Sequence, residues 1–404
     1  MLSLAMLARD EAPRIEAALA SVADFVDEMV VLDTGSQDDT VAIARRCGAV
    51  VHQMAWPGDF APARNRSLEL VHGDWVLVLD ADEQLRPEAR QPLRELMAQP
   101  DLLVITLLRR EIGAVQSPYS SVSRLFRRHP AIRWSRSYHA MIDDSVTALL
   151  AAEPGWRIAQ CDEPALLHSG YQPDRLADGR KARQLRRAME ADLRERPADP
   201  YSCAKLGALL VGEGQRARGI ALLKQGLAAC PEGAEPERFE LLLHLAIALA
   251  PRHPERAVAL YRQALALPLD PRLTLAARLN LASLLLEAGD LDGATGLCRE
   301  ATRLAPGLAQ AWSQLGLVER RRGAVAAAIS AYREALRLDP LHTPSHQNLA
   351  VALLLAGDIP GCRAAFREAI RVLRERGHSD AALALERQAA TMVRLDDGGS
   401  EATP

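Results

Sequence analysis

The strongest constraint on the fold is a recurrence in the second half of the chain. Leu281-Ala282, Leu315-Gly316 and Leu349-Ala350 stand 34 residues apart, and so do Gly289, Gly323 and Gly357. Cys298, Tyr332 and Phe366 keep the same interval, as do Ala301, Ala335 and Ala369, while Pro306 and Pro340 close two of the units. Small residues at fixed places in a repeat of this length describe a helix–turn–helix whose two helices approach closely. One such unit cannot bury its apolar face alone, so the units must stack on one another.

Thirty-four residues is the tetratricopeptide period. Five units are expected, at about 200–233, 238–271, 275–308, 309–342 and 343–376, the first two looser than the rest. Leu206-Gly207 with Gly214 and Pro231 marks the first, and Leu245 with Ala257, Tyr261 and Ala264 the second. A capping helix over Asp380 to Arg394 would complete a repeat domain of 200–394, followed by a disordered tail at 395–404. Trp312, Tyr332 and Phe366 read as core. Arg320, Arg321 and Arg322 read as solvated charge. The surface such a solenoid offers is expected to hold a protein or an extended peptide.

The first half obeys a different pattern. Gly73-Asp74-Trp75-Val76-Leu77-Val78-Leu79-Asp80-Ala81-Asp82-Glu83 runs from an apolar stretch into three acids. The apolar part reads as a strand buried on both faces, as in a parallel sheet. Asp80 and Asp82 would sit at its carboxyl end, where open α/β sheets hold ligands, and side chains two apart on an extended chain point the same way. Two such carboxylates suit a hard divalent cation, and that cation suits a diphosphate. Further strands are expected at Leu2 to Leu7, Met29 to Leu32, Ala49 to Met54, Leu102 to Leu108, Tyr119 to Arg128, Ile132 to Ile142 and Ala165 to Tyr171. Helices are expected over Glu11 to Val22, Ala61 to Val71 and Pro87 to Met97. Asp33 ends the second strand in line with Asp80 and Asp82. Ser36 with Asp39 reads as a capping box opening the next helix. The charged stretch from Asp178 to Arg196 reads as a helical connector.

Composition narrows the partners. A net charge of −3 gives no reason to expect nucleic acid or an anionic membrane surface. The 6 cysteines lack metal spacing and suit a reducing compartment. The apolar start lacks the basic flank of a signal peptide, and no stretch reaches the ~20 apolar residues of a membrane span. The expected location is cytoplasmic.

Several of these residues together resemble a known family. Leu2 to Ala8 with Arg9-Asp10-Glu11, then Val31 to Ser36, Ala63-Arg64-Asn65, Trp75 to Glu83 and Leu167-His168-Ser169-Gly170-Tyr171 look like a family 2 glycosyltransferase. More narrowly they resemble the bacterial branch in which tetratricopeptide repeats follow the catalytic domain. The resemblance implies an α/β GT-A nucleotide-diphospho-sugar transferase domain with a Rossmann-like mixed sheet over 1–175. A helical linker at 176–199 and an all-α tetratricopeptide-repeat superhelix would follow. It implies a metal-dependent, inverting transfer from a nucleotide sugar, expected to be a UDP-sugar. Asp33 would read uracil or ribose, Glu11 would border the nucleotide pocket, and Arg64 would lie by the diphosphate or brace Asp80. Asp80 would lie near the ribose or the metal, and Asp80, Asp82 and His168 would form the metal site for Mn²⁺ or Mg²⁺. The expected acceptor is a polypeptide, with a surface polysaccharide precursor as the next choice.

Two departures accompany the resemblance. Arg9-Asp10-Glu11 stands where the family commonly has Lys-Asn-Glu, and His139-Ala140 where it commonly has His-Glu. Ala140 cannot serve as a base, so Glu83, Asp143 and Asp144 are the candidates for that role. The alternative is a tetratricopeptide-repeat scaffold whose transferase domain has decayed. A nucleotidyltransferase ranks last, because no Gly-rich, Arg/Lys-bearing phosphate loop follows the first strand.

Overall fold

A computed structural model describes residues 1–114, 117–136, 140–170 and 179–395. His139, Tyr171 and all of the expected tail except Leu395 lie outside the described residues. The chain divides into two compact units, Met1–Pro231 and Glu232–Pro404. The division falls after the first pair of repeat helices, not at the 176–199 linker expected from the sequence.

The first unit is built on a sheet of eight strands in the order β3-β2-β1-β4-β7-β6-β8-β5. Strands β1 (Leu2–Ala8), β2 (Glu28–Asp33), β3 (Val50–Gln53) and β4 (Trp75–Asp80) run parallel. Strand β7 (Tyr119–Arg127) is antiparallel to both β4 and β6 (Leu102–Glu111). Strand β8 (Arg157–His168) runs parallel to β6, and the short β5 (Glu83–Leu85) closes that edge antiparallel to β8.

Helices cover both faces, which explains the unbroken apolar runs of the central strands. Leu4, Met6, Leu77 and Leu79 enter one core with Ile15 and Leu19 of α1 (Ile15–Ala20) and Leu93 of α4 (Arg90–Met97). The alternating Ala5, Val76 and Val78 enter the other with Ala61 of α3 (Phe60–Leu68) and with Val146 and Leu149 of α5 (Asp143–Ala152). Each central strand thus feeds two cores by its period of two.

Three expectations need correction. The stretch Ile132 to Ile142 holds, among its described residues, an isolated Ser135–Met141 bridge and no strand. The last strand begins at Arg157, well before the expected Ala165. Helix α2 (Thr40–Arg46) has Asp39 at its N-cap without a side-chain cap bond, and Ser36 donates to Asp33 instead. Asp38 takes up the capping geometry, its Oδ1 accepting from the Thr40 backbone N–H at 3.0 Å. The capping-box spacing was present, but the strand-end carboxylate captured the hydroxyl.

Helix α6 (Gly179–Glu195) leads into the first repeat pair, α7 (Pro200–Gly212) and α8 (Arg216–Ala229), where Gly207 packs against Leu223. The second unit continues with α9 (Glu235–Leu249) and α10 (Pro254–Leu265), then α11 (Leu275–Glu287) and α12 (Leu291–Leu304). Next come α13 (Ala309–Arg321) and α14 (Val325–Leu338), α15 (Thr343–Leu355) and α16 (Ile359–Glu375), and a final α17 (Ser379–Ala390). Gly289, Gly323 and Gly357 turn each pair at φ of +85°, +81° and +79°, a region that disfavours any Cβ. Tyr332 and Phe366 are fully buried, as core residues should be. Among the described residues no helix is long and apolar enough to cross a membrane.

Candidate active site

The carboxyl ends of the parallel strands gather the acids. Ala8 pairs with Asp33 and Leu7 with Asp80, so the two aspartates flank the end of β1, about 10 Å apart at ordinary strand spacing. Asp33 is almost wholly buried and holds the turn that follows it. Ser36 Oγ donates to its Oδ1 at 2.5 Å and the Gly35 N–H to its Oδ2 at 3.2 Å. Glu11 pairs with Arg14 at 2.5 Å, and its backbone N–H donates to Thr40 Oγ1 at 2.8 Å, which ties the loop after β1 to α2.

Asp80 sits between two arginines. Arg64 Nη2 lies 2.6 Å from its Oδ1, and Arg124 Nη2 lies 2.9 Å from its Oδ2. Burial alone would raise the carboxyl of Asp80, but the two guanidinium charges hold it far below the usual carboxylate range. Both guanidinium groups lie over the Trp134 ring, at 4.7 Å for Arg64 and 5.7 Å for Arg124. Asn65, next to Arg64 on α3, pins the Trp134 backbone: its Nδ2 donates to the carbonyl at 2.9 Å and its Oδ1 accepts from the N–H at 2.8 Å.

The short strand β5 brings the rest together. It places Glu83 opposite His168 on one side of β8, while β6 places Glu111 opposite His168 on the other. Asp82, one residue before β5, accepts the Ser169 N–H through its carbonyl at 3.1 Å. Its Oδ2 lies 3.5 Å from His168 Nε2. His168 Nδ1 meets Glu111 Oε2 at 2.5 Å. Burial would lower the imidazolium, but its hydrogen bonds to Asp82 and Glu111 push it up to about 9. Arg109 joins the two glutamates, with Nη1 2.6 Å from Glu83 Oε1 and Nε 2.9 Å from Glu111 Oε1.

The three carboxylates considered as bases differ in their freedom. Glu83 has no exposed surface, and its Oε2 accepts the Asp80 N–H at 2.9 Å while Arg109 takes the other oxygen. Asp144 accepts from Ser135 Oγ at 2.6 Å and Arg136 Nη2 at 3.1 Å. Burial opposes ionisation there, but the Arg136 hydrogen bond and charge bring its carboxyl down to about 2. Asp143 is exposed and accepts from Ser123 Oγ at 2.8 Å. The protein packed around its carboxylate reduces solvation enough to raise it above its ordinary value, only partly offset by that hydrogen bond.

Asp80, Asp82 and His168 were expected to share one ion. The geometry separates them: Asp80 is engaged by Arg64 and Arg124, whereas Asp82 and His168 face each other. Among the described residues no three His, Cys, Asp or Glu side chains converge as a metal cluster. Nothing in the sequence pattern marks Arg109, Glu111, Arg124 or Trp134 for this site; the sheet pairings bring the first three there.

The family described as Glycosyl transferase family 2 matches residues 3–155, and that described as Tetratricopeptide repeat matches 247–309 and 308–343. A TPR repeat-containing protein of Synechococcus elongatus is 46% identical over 307 residues, which is 75% of this chain and 75% of that relative. The chain belongs to the family 2 glycosyltransferases that carry C-terminal tetratricopeptide repeats. This glycosyltransferase is also 28% identical over 184 residues to an uncharacterized glycosyltransferase of Rickettsia felis. That match covers 43% of the chain and 64% of the relative, so the chain spans less than two thirds of that relative's length. Among solved structures, the crystal structure of YrrB, a TPR protein with an unusual peptide-binding site, aligns with 50% of the chain and 98% of its own length. Its identity is 15% and the TM-score 0.38. The glycosyltransferase catalyses sugar transfer.

Proposed function

We propose that the first unit transfers a sugar from a nucleoside diphosphate sugar, a UDP-sugar, to an acceptor hydroxyl or amide. The observation that carries this reading is the approach of Asp82 and His168 to 3.5 Å at the carboxyl end of the sheet.

The residues present fit a divalent cation held by two protein ligands. Asp82 offers a carboxylate, and His168 offers Nε2 because Glu111 occupies Nδ1. Residue 170 lies so close to the ring that only glycine fits there, since a Cβ would stand 2.5 Å from Nε2. One carboxylate, one imidazole and the oxygens of a diphosphate suit Mn²⁺, with Mg²⁺ as the alternative. When bound, such an ion neutralises charge on the departing diphosphate.

The chain's own residues do the rest. Arg64 and Arg124 keep Asp80 ionised and fixed beside the nucleotide, and Asp33 with Glu11 shapes the turn and loop that border the nucleoside. Asp143 is the base of choice: of the three considered carboxylates it alone is exposed and, among the described residues, has no arginine within ion-pair distance. It takes the acceptor proton as the nucleophile attacks the anomeric carbon from the face opposite the diphosphate, which inverts that centre. A polypeptide acceptor suits the repeats, whose stacked helices supply an extended surface. The reading places the reaction in the cytoplasm.

The test is a panel of nucleotide sugars with Mn²⁺ or Mg²⁺, reading released nucleoside diphosphate. Metal-dependent release from one donor, lost in Asp82→Ala, is expected. Absence of release together with absence of UDP binding would turn the reading toward a scaffold with a decayed transferase domain.

A further inference from the structure

We infer that Glu111 is a positioning residue for His168, fixing the ring so that Nε2 stands beside Asp82 as the second half of a two-ligand cation site. The inference rests on the metal-dependent reading above and adds a residue that touches neither the ion nor the sugar.

Its basis is the sheet register. Glu111 is the last residue of β6 and lies opposite His168 at the end of β8. Neighbouring strands in register put paired side chains on the same face, so the carboxylate meets the ring at 2.5 Å. A carboxylate accepts, so the ring nitrogen facing it, Nδ1, carries the proton. Nε2 then faces Asp82 at 3.5 Å, and a cation bound between them would displace the proton that Nε2 otherwise holds toward that carboxylate. A histidine without such a partner samples two tautomers and two ring orientations, and fixing one of each raises the ligand's effectiveness.

Glu111 is itself held. Its Oε1 accepts from Arg109 Nε at 2.9 Å and from Ser120 Oγ. Arg109 reaches on to Glu83 at 2.6 Å, and Glu83 accepts the Asp80 N–H at 2.9 Å. The arrangement therefore runs from the strand that carries Asp80, through a half-buried arginine, to the ring beside Asp82. Glu111 is 5% exposed, so direct contact with substrate is not its role.

The experiment measures Mn²⁺ affinity in the presence of UDP by the spin-resonance signal of free Mn²⁺, on the full chain. Glu111→Gln is expected to weaken Mn²⁺ binding about 10- to 100-fold while leaving metal-free UDP affinity within about twofold. In a His168→Ala background the same substitution is expected to change Mn²⁺ affinity by less than about twofold, because the residue through which it acts is gone. Unchanged Mn²⁺ binding in folded Glu111→Gln, or an equal loss in the His168→Ala background, would overturn the inference. A wild-type protein that binds UDP but no Mn²⁺ would overturn the metal reading with it, so the two failures are told apart.

Should Glu111→Gln not fold, the wild-type chain decides. With Mg²⁺ and UDP bound, ¹⁵N shifts of His168 are expected to show the proton on Nδ1. A proton found on Nε2 instead would sink the proposal.

Discussion

Arg124 grips Asp80 with two nitrogens, Nη2 at 2.9 Å from Oδ2 and Nη1 at 3.5 Å from Oδ1. Arg64 meets Oδ1 from another element, so one carboxylate ties β7 and α3 to the end of β4. An acid so engaged is a fixed anion, and the proposed cation site lies two residues farther on.

Arg124→Ala is expected to destabilise the first unit by about 2 kcal/mol, at the low end for truncating one member of a close charge pair because Arg64 remains. The acid limb of stability should move as well. The folded-state carboxyl of Asp80 lies below its ordinary value, so its contribution is present above about pH 4 and is lost as pH falls. In Arg124→Ala that contribution should shrink. Urea unfolding at pH 7 and at about pH 2, below the ordinary carboxylate range, checks both statements, and an equal difference at the two pH values would contradict the second.

Asp143→Asn should lower kcat about 10²- to 10⁴-fold, the usual range for removing a general base, with donor binding unchanged. A base must be ionised to work, so activity rises as pH increases through its pKa. Crowding lifts the Asp143 carboxyl above its ordinary value, so the acid limb of kcat/KM should lie above the ordinary carboxylate range near ~3.9. A pH profile of transfer, with Asp144→Asn as the control of similar charge, tests the assignment.

What could be read from the sequence differs between the halves for a physical reason. Repeat helices contact their neighbours, so a local period such as Leu281, Leu315 and Leu349 already contains the packing rule. The parallel strands announce themselves by apolar runs ending in acids, and Asp33, Asp80 and Asp82 could be found that way. Glu111 carried no such signal. It follows Arg109-Arg110 at the end of a strand, and only the β6–β8 register puts it against His168. Arg124 likewise gains its partner from the β4–β7 pairing, a long-range antiparallel contact that no periodicity encodes. Ser36 and Asp39 show the opposite failure. Their spacing fitted a cap, and a nearby buried carboxylate was the stronger partner for the hydroxyl.

Gly316→Ala sets two effects against each other. Alanine in the middle of α13 gains about 1 kcal/mol of helix propensity. The added Cβ, however, would lie 2.6 Å from the Tyr332 ring, which is fully buried and cannot retreat. Overpacking of that kind costs about 1 to 3 kcal/mol, so net destabilisation of the second unit is expected. Gly296 on α12, with nothing within 4 Å of its would-be Cβ, is the control: there alanine should stabilise. Thermal unfolding of the two variants should move in opposite directions.

Gly170→Ala tests the cation site without altering any charge. The glycine's φ lies outside the left-handed region, so its backbone would accept alanine. The Cβ, though, would come within 2.5 Å of both Cε1 and Nε2 of His168. Glu111 holds the opposite edge of the ring at Nδ1, which leaves the imidazole little room to slide. Either the ring tilts away from Asp82 or the loop carrying residue 170 shifts, and both outcomes spoil the approach of Nε2 to the carboxylate. Mn²⁺ affinity with UDP present should therefore fall about 10-fold or more, comparable to loss of a ligand's support. Metal-free UDP binding should stay within about twofold, because Asp33, Glu11 and Arg64 lie on other strands, loops and helices. If Gly170→Ala bound Mn²⁺ as the wild type does, the cation would have to meet the chain elsewhere than at the Nε2 edge of His168.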